Sequence, residues 1–148
     1  MLRVFIIILF LFSNFNHLLA IDEYFLTLRN DKVNLRLGPS FEYPVKLFYQ
    51  KKFLPVLIID NSENFRKIRD HENNTGWIHI SQLSKKKAAI TMAEEVKMFR
   101  KPTQFSKPIA KLQQGRLCLV VKCKGEWCKI KVEELVGWVK VDNLWGRY

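Results

Sequence analysis

The chain has 148 residues, which allows one domain of ordinary size or two small ones. A hydrophobic fraction of 48% with 13% aromatic residues excludes a disordered tail and supplies enough apolar surface for a core. With 25 basic against 14 acidic side chains the formal charge is +11, which steers the chain toward anionic partners without naming one.

The first element is a leader. Arg3 gives a positive start, residues 4–12 are an unbroken apolar run, and a polar stretch leads to Leu18, Leu19 and Ala20. This is the pattern of a secretory signal peptide, residues 1–20, cleaved after Ala20. A membrane anchor needs roughly twenty apolar residues to cross a bilayer, and this run has nine. Cleavage removes Arg3 and no acid, leaving 24 basic against 14 acidic side chains and a charge of +10. The expected location is periplasmic or secreted, with no transmembrane span in the mature chain.

Beyond the leader, short apolar runs alternate with turn residues. VNLR from Val33, PVLII from Pro55, NFRKI around Phe65 and Ile68, and GWIHI from Gly76 read as strands. Between them stand Gly38-Pro39, Asp60-Asn61 and Asn73-Asn74-Thr75-Gly76, all turn formers. In the last strand Ile78, His79 and Ile80 alternate apolar and polar, the period of an exposed-on-one-side strand. The same alternation turns Arg36 away from the face that Val33 and Leu35 present. The loop over residues 38–44 is stiffened by Pro39 and Pro44 and carries Phe41 and Tyr43. Lys85-Lys86-Lys87 then marks a junction.

After the junction the chain repeats itself. GWVKVDNL begins at Gly137, 61 residues after GWIHISQL begins at Gly76. Counting back from the second tryptophan, EWCKI, LCLVV, KPI and VKMF fall where NFRKI, PVLII, YPV and VNLR fall before the first, within one or two residues. Each GW phrase is therefore the closing strand of one small barrel or sandwich. The expected organisation is a first domain over residues 21–91 and a second over residues 92–148.

The second copy also holds Cys118, Cys123 and Cys128. In CKGEWC, a two-residue turn at Gly125-Glu126 sets Lys124 opposite Trp127 and Cys123 opposite Cys128. Opposed strand residues lie close enough for a disulfide, which an exported protein's compartment permits. Zinc is the competing use, but CxxxxC with no second pair or nearby histidine supplies two ligands where a site needs four. Cys118 is expected to be a buried strand residue.

NDKVNLRLGPSFEYPV, LPVLIID, ENFRKIR and TGWIHISQLSKKKAAI together resemble the bacterial SH3-like domain of exported alphaproteobacterial proteins. LQQGRLCLVVKCKGEWCKIKVEELVGWVKVDNLWG resembles the divergent second copy in such proteins, including its cysteine pair. The resemblance covers residues 25–146. It implies an all-β fold of two tandem small SH3-like barrels behind a cleaved signal peptide. It also implies a groove between the long loop after the first strand and the later short loops. Related domains accompany cell-wall hydrolases and recognise peptidoglycan peptides, so binding is implied and catalysis is not. The expected ligand-binding residues are Phe41, Tyr43 and Trp77, with Arg36 or Lys46 at the groove's edge. The second copy replaces RLGPSFEYP by RKPTQFSKP, without the glycine or the tyrosine, so its barrel is expected to bind weakly or not at all.

The residues themselves also argue against an enzyme. Beyond the leader only His71 and His79 remain, the first in a polar turn and the second on a strand surface, and no cysteine of the first copy can join them. Glu94-Glu95 and Glu133-Glu134 are adjacent pairs whose members diverge or lie in a turn. There is no phosphate loop, HExxH or GxSxG, and no cofactor or metal is called for. Two functions remain: a non-catalytic exported module that binds peptidoglycan or another anionic envelope component, and a periplasmic scaffold that binds a protein and no glycan. Nucleic acid, the usual partner of a basic protein, is seldom met outside the cell.

Overall fold

The computed structural model describes residues 21–146, so the expected signal peptide lies outside the described residues. Seven strands form the first sheet: β1 (Tyr24–Leu28), β2 (Val33–Arg36), β3 (Val45–Tyr49), β4 (Pro55–Ser62), β5 (Phe65–Arg69), β6 (Thr75–His79) and β7 (Leu83–Ser84). Their order is β3-β2-β6-β5-β4-β1-β7. Seven more follow: β8 (Ala88–Thr91), β9 (Glu95–Phe99), β10 (Pro108–Gln113), β11 (Leu117–Lys124), β12 (Trp127–Val132), β13 (Leu135–Lys140) and β14 (Leu144–Trp145). The second sheet repeats the first strand for strand, β10-β9-β13-β12-β11-β8-β14. The protein is thus two tandem all-β barrels. Short 3-10 turns at Ile80–Gln82 and Val141–Asn143 precede each final strand.

Alternation sends Val33, Leu35, Ile68 and Ile78 into the first core and Val96, Met98, Ile130 and Val139 into the second. A bulge interrupts β4 between Ile58 and Asp60, and its counterpart interrupts β11 between Val120 and Lys122. Each bulge inserts one extra residue and strengthens the twist that curls a sheet into a barrel. Closure is narrow: β2 meets β6 only through Arg36 opposite Trp77, and β9 meets β13 only through Phe99 opposite Trp138.

The two barrels are packed together. Ile90 of β8 belongs to the first barrel's core while its neighbour Ala89 belongs to the second's. Thr27 Oγ1 donates to Lys86 O at 2.7 Å, and Phe25 and Trp145 meet edge to face at 5.3 Å. β8 pairs with β11 and β14, so residues 88–91 hydrogen-bond into the second sheet rather than closing the first, and the sheets divide at the lysine run, residues 85–87. All four residues of β8 are buried because both of its faces are covered.

Cys123 and Cys128 are opposed on β11 and β12 and joined by a disulfide, with Lys124 opposite Trp127. Gly125 takes the left-handed φ of +57° that the two-residue turn requires, which in the first barrel falls to Glu63 at +47°. Cys118 is buried and donates to Ala89 O at 3.3 Å, and burial pushes its thiol up to about 12. Two consequences are measurable. Alkylation in denaturant without reductant should label one thiol, and with reductant three. Replacing Cys123 and Cys128 by serine should cost about 2 kcal/mol in a denaturant titration, from the entropy of a six-residue loop.

Candidate binding site

The loop between β2 and β3 is built on Arg36. Its Nη1 donates to Tyr43 O at 2.8 Å and to Phe41 O at 3.2 Å, turning two loop carbonyls toward the sheet. Leu37 N donates to Pro44 O across the loop mouth at 3.1 Å. With φ fixed at Pro39 and Pro44, the loop is held from both its base and its ends. The Arg36 guanidinium also lies 5.4 Å from the centre of the Phe41 ring, within cation–π range.

Phe41 is the more exposed of the loop's two aromatics, at 61%, yet it does not stand alone. Its ring centre is 5.0 Å from that of His79 and 5.2 Å from that of Phe65, and those two are 5.1 Å from each other. Phe65 and His79 are direct cross-strand partners on β5 and β6, so the ladder itself holds this pair. Ser81 N donates to His79 Nδ1, which ties the ring to the turn that follows β6. The result is a fixed platform of three rings with a cation at one side.

Tyr43 packs flat over Gly38: a Cβ at residue 38 would come within 2.4–2.5 Å of the tyrosine ring. The glycine therefore makes room for the ring, which remains half exposed. Trp77, half-buried, is the cross-strand partner of both Arg36 and Lys67. Lys46 reaches the other way, donating from Nζ to Thr75 O at 3.0 Å. The structure thus brings Arg36, Phe41 and Tyr43 together and sets Trp77 beside Arg36 on the outer face, while Lys46 ties β3 to β6. Phe65 and His79 belong to the platform although sequence reasoning passed over them; the cross-strand register of NFRKI against GWIHI is the signal that finds them.

Below the loop, Tyr49 donates to Asp70 Oδ2 at 2.9 Å, and Asp70 Oδ1 accepts from the backbone of Glu72 and Asn74. Burial, then the charge of Asp70, pushes the Tyr49 hydroxyl well above its ordinary value, so it stays a donor. This network fixes the turn between β5 and β6, and with it the start of the strand that carries Trp77 and His79.

The second barrel has the same loop with a different surface. Arg100 N donates to Lys107 O as Leu37 N does to Pro44 O, and Phe99 stands opposite Trp138 as Arg36 stands opposite Trp77. RKPTQFSKP is therefore one residue out of step with RLGPSFEYP. Phe99 takes the place of Arg36, Lys101 and Ser106 take the places of Gly38 and Tyr43, and Phe105 takes that of Glu42.

The bacterial SH3 domain model of known families matches the chain twice, over residues 29–85 and 92–146. The chain belongs to the bacterial SH3 domain family. Each match lies within one of the two barrels, starting just after its first strand, and the loop between β2 and β3 lies inside the first SH3 domain. Among solved structures it is similar to NlpC2 from Trichomonas vaginalis, with 13% identity over 85% of this chain and 49% of that one, at a TM-score of 0.39. For NlpC1 from the same organism the values are 12%, 85%, 46% and 0.39. For an NlpC/P60 family protein from Bacillus cereus they are 9%, 82%, 55% and 0.36. The chain spans about half the length of each of these proteins. No curated protein matches it in sequence.

The pairing of Gly38 with Tyr43 can be tested within the first SH3 domain. Gly38→Ala should destabilise it by about 1 kcal/mol or more through overpacking against the ring. Adding Tyr43→Ser, the residue the second domain uses there, should recover most of that loss. Unfolding titrations of the two single variants and the double variant measure the coupling.

Proposed function

We propose that this protein is a non-catalytic binding module of the cell envelope, exported to the periplasm or beyond, whose first SH3 domain engages peptidoglycan or a similarly anionic, peptide-bearing wall component. The observation that carries this reading is the Phe41 platform. An aromatic ring 61% exposed, backed by Phe65 and His79 and flanked by Arg36, is held on a loop whose carbonyls are already bound. A ligand that lands on it orders little that is not already ordered, so less affinity is lost to entropy. Phe41 and Tyr43 offer the apolar contact. Arg36 acts chiefly by positioning the loop, and Trp77 extends the surface from its base. Lys46 uses one N–H on Thr75 O and keeps others for an acidic group.

The chemistry of the thiols supports binding over cysteine-based catalysis. A nucleophilic cysteine has to be an accessible thiolate, whereas Cys118 is buried with its thiol pushed up to about 12, and Cys123 and Cys128 are bonded to each other. Among the described residues no helix is long and apolar enough to cross a membrane.

The alternative, a scaffold that binds a protein and no glycan, draws on Leu135 and Val136, both more than 40% exposed at the start of β13. Co-sedimentation with purified sacculi separates the two. The chain from Ile21 to Tyr148 should pellet with sacculi at low salt and be released as salt rises, because the participating charges are exposed. Phe41→Ala should reduce that binding about tenfold or more, as loss of a buried aromatic contact does, while the melting temperature changes little. Failure of the wild-type chain to pellet at low salt, or full binding by Phe41→Ala, would overturn the proposal.

A further inference from the structure

The second SH3 domain sets five lysines on one sheet face. Cross-strand register places Lys140, Trp127 and Lys124 in one outward row across β13, β12 and β11, and Trp138, Lys129 and Lys122 in the next. Lys131 follows two residues after Lys129 on the same side. The lysines of this face are absent from every ion pair among the described residues, which join Arg69 to Glu23, His71 to Glu72, Lys111 to Glu95 and Arg116 to Glu133. Two of them instead lie over indole rings, Lys122 at 5.8 Å from Trp138 and Lys140 at 5.9 Å from Trp127. The sheet is therefore a cation array spread on aromatic supports.

Stability alone does not account for this array. Lys122 sits directly opposite Lys129, a like-charge pair that weakens a sheet. At the same two positions the first domain has Asp60 opposite Lys67, a favourable pair. Beside the array stands Phe105, 89% exposed, at the tip of the loop between β9 and β10. It borders a depression with Trp127 and Lys140 on one side and another with Lys97, Phe99 and Lys140 on the other. Its loop is not slack. Arg100 N donates to Lys107 O at 3.1 Å, Lys101 N to Ser106 Oγ at 3.0 Å, and Ser106 N to Thr103 O at 3.1 Å. The carboxylates lining these two depressions are Glu95, already paired with Lys111 at 3.2 Å, and Glu126 at the hairpin turn.

We propose that this face docks the protein on an anionic lipid bilayer, with Phe105 entering the headgroup layer and Lys122, Lys124, Lys129, Lys131 and Lys140 lying over lipid phosphates. The charge match alone would suit any polyanion. Phe105 decides for a bilayer, because a soluble polyanion would neutralise the lysines and leave the exposed ring in water, while a membrane interface takes up both. The site is separate from the Phe41 platform, so the two SH3 domains would hold different components of the envelope, the first a wall polymer and the second the membrane beside it.

The test uses residues 21–148, which keep both domains and omit the apolar run of residues 4–12 that would itself bind lipid. Vesicles of phosphatidylcholine alone are compared with vesicles containing about one-third phosphatidylglycerol, whose surface attracts clustered lysines. The protein should co-sediment with the anionic vesicles at least about tenfold more tightly than with the neutral ones, and salt should release it. Phe105→Ser should lose about tenfold in binding to anionic vesicles, the scale of burying one phenylalanine, while keeping its melting temperature and its binding to sacculi. The paired change Lys122→Glu with Lys129→Glu should abolish vesicle binding. Equal binding of the wild-type chain to both vesicle types, or no binding, would overturn the proposal. So would Phe105→Ser binding anionic vesicles as the wild type does, which is the behaviour of a plain polyanion site.

Discussion

Both barrels depend on a place where no side chain can stand. A Cβ on Gly76 would lie 2.6 Å from Leu35 Cγ and 2.8 Å from Arg36 O, and one on Gly137 would lie 2.5 Å from Met98 Cγ. At these points β6 crosses β2 and β13 crosses β9, with a single opposed pair closing each barrel. At Gly76 the glycine lets β6 press against the Arg36 backbone, and at Gly137 it leaves room for the Met98 and Ile109 side chains. Because strand neighbours point to opposite faces, a glycine pressed inward sends the next residue outward. Trp77 and Trp138 are thereby placed on the outer face, beside the residue from which the first long loop springs. The phrase GW occurs twice because each barrel needs the same closure.

On that common frame the two copies differ in what they present. In the first, Arg36 turns loop carbonyls inward and leaves Phe41 outward on two further rings. In the second, Phe99 replaces the arginine and packs edge to face on Trp127, 5.6 Å between centres, so the loop is held by its own backbone and hydroxyl bonds. Glycine and tyrosine change together to lysine and serine, since the glycine's only task at that site is to admit the ring. The opposed pair of aspartate and lysine becomes two lysines. The core is retained while the exposed charge and aromatic positions move, which is how one scaffold comes to present two surfaces. β8 binds the copies into one body by giving Ile90 to one core and Ala89 to the other.

Most of the fold can be read from the sequence because strands with one wet face announce themselves by alternation. The GW strands, the runs from Val33 and Val96 and the CKGEWC hairpin are all of this kind, and the last places Cys123 against Cys128 as turn geometry requires. β8 is not legible, for a physical reason: a strand covered on both faces has no alternation, so AAIT after three lysines falls to the end of the first domain when the sequence alone is read. The loop shows its aromatics in the sequence but not their partners. Phe65 lies 24 residues from Phe41 and His79 lies 38, and only the ladder between β5 and β6 makes the three rings one platform. Arg36 reads as a solvated strand position because alternation reports which face a side chain leaves by. It does not report that a loop folds back to meet it.

The account stands or falls on whether the Phe41 platform is where a wall component lands. An amide-resolved NMR titration of residues 21–148 with solubilised peptidoglycan fragments asks this directly. The account predicts shift changes over residues 38–44 and at Phe65, His79 and the Trp77 indole, with the second barrel's lysine face silent. Changes confined to the second barrel, or no changes at saturating ligand, would contradict it.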